Sequence, residues 1–105
     1  MININGKEYG LFYSIEAHIK IDNFIIANPA ASMTEGVIVR AIAMNEAYNK
    51  VHKGGNVLKK EDLLALPNSI FTLLATAVEE QEKADSVISV ETEKQKGKNG
   101  RSAGQ

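Results

Sequence analysis

The chain contains no cysteine. That excludes a disulfide framework, a thiolate nucleophile and cysteine-based metal sites, and it fits a reducing cytoplasm. Histidine is nearly as scarce. There are two in 105 residues, and no third ligand stands at a spacing that would complete a zinc or iron site. No apolar run approaches the ~20 residues of a membrane-spanning helix. The first residues alternate apolar and polar, without the continuous apolar stretch of a secretory signal. Strong charge of one sign is missing as well. Twelve Lys and Arg against 13 Asp and Glu leave a net −1, which gives no overall pull toward nucleic acid or anionic lipid. The glycine features, Gly54-Gly55 and Gly97-Lys98, lack the spacing and the strand-to-helix setting of a phosphate loop. A soluble, intracellular protein without metal or cofactor is expected.

What is present divides in two. Residues 91–105 carry no large apolar side chain, so they cannot bury enough surface to offset the entropy of ordering them. Their charge also differs from the rest. Residues 1–90 carry 8 Lys and Arg against 11 Asp and Glu, a net −3, while residues 91–105 carry 4 against 2, a net +2. A compact domain over 1–86 and a flexible polar tail over 87–105 are predicted. Val87-Ile88-Ser89-Val90 is a small apolar island at the junction, readable as loosely docked chain, as an extra strand or as a partner contact.

The compact part reads as α+β, an N-terminal β-hairpin followed by three or four helices. Ile2 and Ile4 alternate with Asn3 and Asn5, and Asn5-Gly6 is a strong type I′ turn signal because both central residues need positive φ. The implied register sets Ile4 against Lys7 and Ile2 against Tyr9, with Ile2, Ile4, Tyr9 and Leu11 on one face of a hairpin over 1–13. Ser14 caps a helix to about Ala27 with Ile15, Ile19, Ile26 and the nearby Phe24 and Ile25 as its approximate apolar stripe, and Asn28-Pro29 ends it. Ser32-Met33-Thr34-Glu35 is a capping box. It opens a helix with Val37, Ile38, Ala41, Ile42, Tyr48 and Val51 that stops at Gly54-Gly55. A short helix over Lys60–Leu66 closes at Pro67-Asn68. Asn68 or Ser69 caps a last helix bearing Ile70, Phe71, Leu73, Leu74, Ala77 and Val78, with fraying expected over Lys83–Ser86. The apolar residues suit one small core.

Chemistry is sparse. His18 and Asp22 share a helix face at i,i+4, which suits a half-exposed pair better than a tuned imidazole. His52 beside Lys50 and Lys53 favours the negative end of a helix. The carboxylate pairs Glu61-Asp62 and Glu79-Glu80 sit at helix ends without the apolar setting that separates an acid from a base. An enzyme is not expected. Residues 60–82 have helix-turn-helix lengths, yet the second helix is apolar and then acidic at Glu79, Glu80 and Glu82, which repels DNA. A binding module remains, with Ile38, Ile42, Phe71 and Leu74 as candidate partner contacts or core, and with the hairpin edge as a further candidate, since exposed strands pair readily with another chain and could build an oligomer.

The order of these segments resembles a known family. "Ile-Asn-Gly-Lys-Glu-Tyr" leads into "Phe-Tyr-Ser-Ile-Glu-Ala", helices follow, then "Lys-Glu-Asp-Leu-Leu-Ala-Leu-Pro" and a polar end "Lys-Gly-Lys-Asn-Gly-Arg-Ser-Ala-Gly-Gln". Over nearly its whole length the chain is similar to the small tail assembly chaperones of long-tailed bacteriophages and prophages of Gram-positive bacteria. The resemblance implies a cytoplasmic chaperone, absent from the mature virion. It would coat the aggregation-prone tape measure protein, and self-association is expected alongside. It also implies a longer form, made when ribosomes slip back by one nucleotide, that recruits tail tube protein. Lys96, Gly97, Lys98 and Asn99 can be encoded by heptamers on which ribosomes slip, although many lysine-rich tails share that property. The alternative is a small regulatory or nucleic-acid-binding protein of a mobile element.

Overall fold

A computed structural model describes residues 1–87. The order is β1 (Ile2–Ile4), β2 (Lys7–Tyr9), α1 (Ile15–Ala27), α2 (Met33–His52), α3 (Lys60–Leu64) and α4 (Ser69–Ser86). This is the α+β arrangement expected, a hairpin followed by four helices. Helix α2 is central, with α1, α3 and α4 all packed against it. The predicted tail, including Lys96–Asn99 and all of the apolar island beyond Val87, lies outside the described residues.

The hairpin takes the register its turn dictates, with Ile2 opposite Tyr9, Asn3 opposite Glu8 and Ile4 opposite Lys7. Asn5 and Gly6 have φ of 52° and 83°, the left-handed values that a type I′ turn requires. Ile2 and Ile4 are buried. A two-stranded ribbon is marginal in water, and this one is held by that apolar face. The strands are shorter than the expected span of 1–13. Gly10 leaves the ladder because its backbone backs onto the Tyr48 ring, where a Cβ would come within 2.0 Å of Cδ1. Past it, the Phe12 N–H donates to the Met44 carbonyl of α2 at 2.9 Å. Leu11 is buried all the same, with Tyr9, Phe12 and Tyr13 packed against the core.

Helix α1 begins at the predicted Ser14, whose hydroxyl accepts from the Ala17 N–H at 3.0 Å. It ends where the Asn28 backbone and side-chain amides both return to the Phe24 carbonyl. Its rotation is not the expected one. The buried residues are Ala17 and Ile21, while Ile15, Ile19 and Ile26 are 82%, 52% and 77% exposed. Alanine decides this. Ala17 lines the same narrow groove between α1 and α2 as Ala43 and Ala47, and side chains this small leave the helices close enough for ion pairs to bridge it. Glu16 pairs with Lys50 and Lys20 with Glu46, each at 3.0 Å, so α1 and α2 run antiparallel.

Helix α2 carries the full capping box, with the Glu35 N–H donating to Ser32 Oγ at 3.1 Å and the Ser32 N–H to Glu35 Oε1 at 3.3 Å. Ile38, Ala41, Ala43, Met44, Asn45 and Ala47 are buried, a wide arc that fits a helix packed on several sides. Val51, expected on the apolar stripe, is exposed. The helix closes one residue before the glycine pair. Lys53 takes the left-handed cap at φ 57°, and Gly54 and Gly55 follow at positive φ.

Helix α3 ends at Leu64, before the expected Leu66, and continues only as a turn. One turn of helix has no stability of its own. Burial of Leu63 anchors it, an effect of about 2 kcal/mol. Helix α4 buries Leu74 and Val78. Asn68, one of the two residues expected there, takes the N-cap position, but in helical conformation and without a side-chain cap bond. The end at Lys83–Ser86 stays helical where fraying was expected, because the Asp85 carboxylate accepts from the Tyr13 N–H at 2.8 Å and from Gln81 Nε2 at 2.9 Å. Arg40 of α2 and Glu82 of α4 add a partly buried ion pair at 2.8 Å.

Candidate partner-docking surface

Three of the four candidate contact residues come together. Ile38 of α2 and Phe71 and Leu74 of α4 line a cleft of about 160 Å³, closed by Thr34, Leu63, Leu64, Leu66, Pro67, Asn68 and Ile70. Ile38 and Leu74 are buried and form its floor, Phe71 is half-buried, and Leu64 stands exposed at the rim. The Pro67 break sets the shape, since the chain cannot continue α3 through it and must restart as α4 at an angle. Ile42 does not reach the cleft and packs half-buried against the core.

The cleft is smaller than the ~300–1,000 Å³ of small-molecule sites, and its lining is mostly aliphatic. It offers room for one or two aliphatic side chains presented by another chain. Leu73 adds exposed apolar surface on α4.

The hairpin edge is a further docking candidate. Across a two-residue turn the pair nearest the turn exchanges hydrogen bonds, so Asn3 and Glu8 turn their backbone groups outward. The Glu8 carbonyl is already taken by Asn56 Nδ2 at 2.7 Å, which leaves β1 as the open side. With three residues per strand, little ladder is on offer.

The titratable groups are arranged by structure. His18 Nε2 lies 3.1 Å from Asp22 Oδ2, and the Tyr13 hydroxyl bonds His18 Nδ1. Burial, reinforced by Glu82, holds the Tyr13 phenol above its ordinary 10.0, and Arg40 offsets part of this. Hydrogen bonding to Lys50, and its charge, pull the Glu16 carboxyl below its ordinary range, and Glu46 does the converse for Lys20. His52 stacks on Tyr48 with ring centroids 4.1 Å apart. Glu61, Asp62, Glu79 and Glu80 are exposed. Among the described residues, no three His, Asp or Glu side chains gather closely enough to hold a metal ion, and no helix is long and apolar enough to cross a membrane.

One group escaped the sequence reading altogether. Asn45 is 0% exposed. Its Nδ2 donates to the Gly10 carbonyl at 2.9 Å and to the Asn56 carbonyl at 3.2 Å, and its Oδ1 accepts from the Leu58 N–H at 2.8 Å. Asn49 Nδ2 joins at the same Asn56 carbonyl at 3.1 Å. A polar residue in mid-helix usually reads as solvent-facing. The available signal was its position between Met44 and Ala47, one turn before a second asparagine. Compared with known protein families, with characterised proteins and with solved structures, the chain matches none.

Proposed function

We propose that this protein is a tail assembly chaperone of a long-tailed bacteriophage or prophage, acting in the cytoplasm of the bacterial host. It binds the tape measure protein and keeps it from aggregating, and it does so without catalysis. The supporting observation is a small α+β domain that leaves apolar side chains open on its surface, above all the aliphatic cleft floored by Ile38 and Leu74 with Leu64 at its rim. Long helices with bare apolar stripes aggregate. Many weakly binding copies along one such filament would shield it through avidity. The order of segments, from the Ile-Asn-Gly hairpin to the Lys-Glu-Asp-Leu-Leu-Ala-Leu-Pro turn, agrees with the same assignment. A longer form arising at Lys96–Asn99 would recruit tail tube protein.

The test is co-expression with the large gene that follows in the genome. The chaperone raises the soluble fraction of that product, and Leu64→Glu with Phe71→Ser reduces the effect. Mass spectrometry of the native locus detects a minor fusion crossing residues 96–99. No gain in solubility together with a single 105-residue product would return the protein to the regulatory alternative.

A further inference from the structure

We infer that the outer face of α1 is a second docking surface, built to pair with an amphipathic helix of another protein that carries a lysine or arginine within its apolar stripe. Ile15, Ile19, Asp22 and Ile26 follow one another at spacings of four, three and four, the seam of a coiled coil. The three isoleucines are exposed, and the row runs along roughly 16 Å of helix. It lies on the side away from Ala17 and Ile21, so it has no role in the core.

The charged neighbours of the row are already engaged. Glu16 and Lys20 are drawn to α2 through Lys50 and Glu46. His18 Nε2 meets Asp22 Oδ2 at 3.1 Å, and the Tyr13 hydroxyl meets His18 Nδ1. The His18 ring thus bridges the Tyr13 phenol and the Asp22 carboxylate. Asp22 is thereby held in place with Oδ1 still open, half-exposed in the middle of an aliphatic row.

That aspartate selects the occupant. In a parallel pairing of two copies, Asp22 meets its own counterpart. In an antiparallel pairing, Asp22 of each copy is pressed against Ile19 of the other. Either arrangement takes a carboxylate out of water with no cation supplied by the second copy. Area points the same way, because the three isoleucines expose roughly 400 Å², enough to mark a contact site but about half of what each partner buries in a stable complex. The chain's own residues beyond Val87 supply two aliphatic side chains, Ile88 and Val90, too few to cover the row. A helix from another protein, with aliphatic residues at the seam and one cation opposite Asp22, satisfies both demands and binds weakly enough to need repetition.

This surface is offered within the reading of the protein as a binder of helical partners, and its test is separable from that reading. The full chain, labelled with ¹⁵N, is titrated with two synthetic four-turn amphipathic helices that differ only in a central seam residue, lysine in one and glutamate in the other. Amide shifts centred on residues 15–26 are expected, with the lysine peptide bound about tenfold more tightly. Asp22→Lys should invert that preference, and Ile19→Glu should abolish both sets of shifts. The inference is overturned by shifts confined to the Leu64–Phe71 cleft, by none at about 1 mM peptide, or by equal binding of the two peptides. A dimer that Ile19→Glu dissociates would assign the face to a second copy instead. In co-expression, wild-type rescue of the downstream product that survives Ile19→Glu and Asp22→Lys would keep the chaperone reading and remove α1 from it.

Discussion

Asn45 Nδ2 lies 2.9 Å from the carbonyl oxygen of Gly10, thirty-five residues earlier in the chain. Through that bond and its companions to Asn56 and Leu58, one side chain of α2 fastens the end of the hairpin and the loop before α3. Replacing Asn45 with leucine would strand one buried acceptor, the Gly10 carbonyl, and one buried donor, the Leu58 N–H, while Asn49 still serves the Asn56 carbonyl. Each unsatisfied buried group costs about 1–3 kcal/mol. The variant is expected to lose about 3 kcal/mol of stability, read as a lower urea midpoint. Asn45→Asp should be no better, because a carboxylate cannot donate to Gly10.

Gly10 itself is fixed by contact. A Cβ there would lie 2.0 to 2.3 Å from three atoms of the Tyr48 ring. Gly10→Ala is expected to cost about 1–3 kcal/mol as an overpacked site. The same substitution made on a Tyr48→Ala background should cost almost nothing. A double-mutant cycle measured by denaturation gives the coupling directly. Additive losses would show that the glycine is required for a reason other than the ring.

The last turn of α4 depends on Asp85. Asp85→Ala should raise the amide exchange rates of residues 82–86 by about tenfold, the effect of losing one hydrogen bond to a charged acceptor. Exchange at Leu74 and Val78 should not change. Asp85→Asn, which keeps an acceptor oxygen, should fall between the two.

The Glu16–Lys50 pair sets a pH dependence of known sign. The folded-state pKa of Glu16 lies below its ordinary 4.5, so the pair's contribution is present above pH 4.5 and is lost as pH falls through the lower folded value. For Lys20 the shift is upward from 10.5, so its contribution is present below 10.5 and is lost as pH rises through the folded value. An NMR titration of the Glu16 side chain should show its midpoint move up toward 4.5 in Lys50→Met.

Much of this fold can be read in the chain because certain residues admit one geometry. Asn5-Gly6 requires a type I′ turn, and that turn sets the register. Ser32 with Glu35 starts α2, and Pro67 separates α3 from α4. The rotation of α1 could not be read in the same way. Its sequence is apolar on two sides, and periodicity rates Ile15, Ile19 and Ile26 above Ala17 and Ile21. Close approach to Ala43 and Ala47 reverses that order, which no single-helix pattern contains. The docking residues divide on similar grounds. Ile38 and Leu74 look the same in sequence whether they line a cleft or fill a core, and in the structure they form the floor where the two meet. Asn45 was illegible because the carbonyls it satisfies belong to loops distant in sequence.

The bond from Asp85 to the Tyr13 N–H has a consequence for binding. It fixes the end of α4 at the corner where α1 begins, with Val87 two residues on, at most about 7 Å of chain. The last turn of α4 is thereby kept close to the start of the exposed isoleucine row. A ligand lying along that row would press on this turn as well, and local opening of the turn would be coupled to binding.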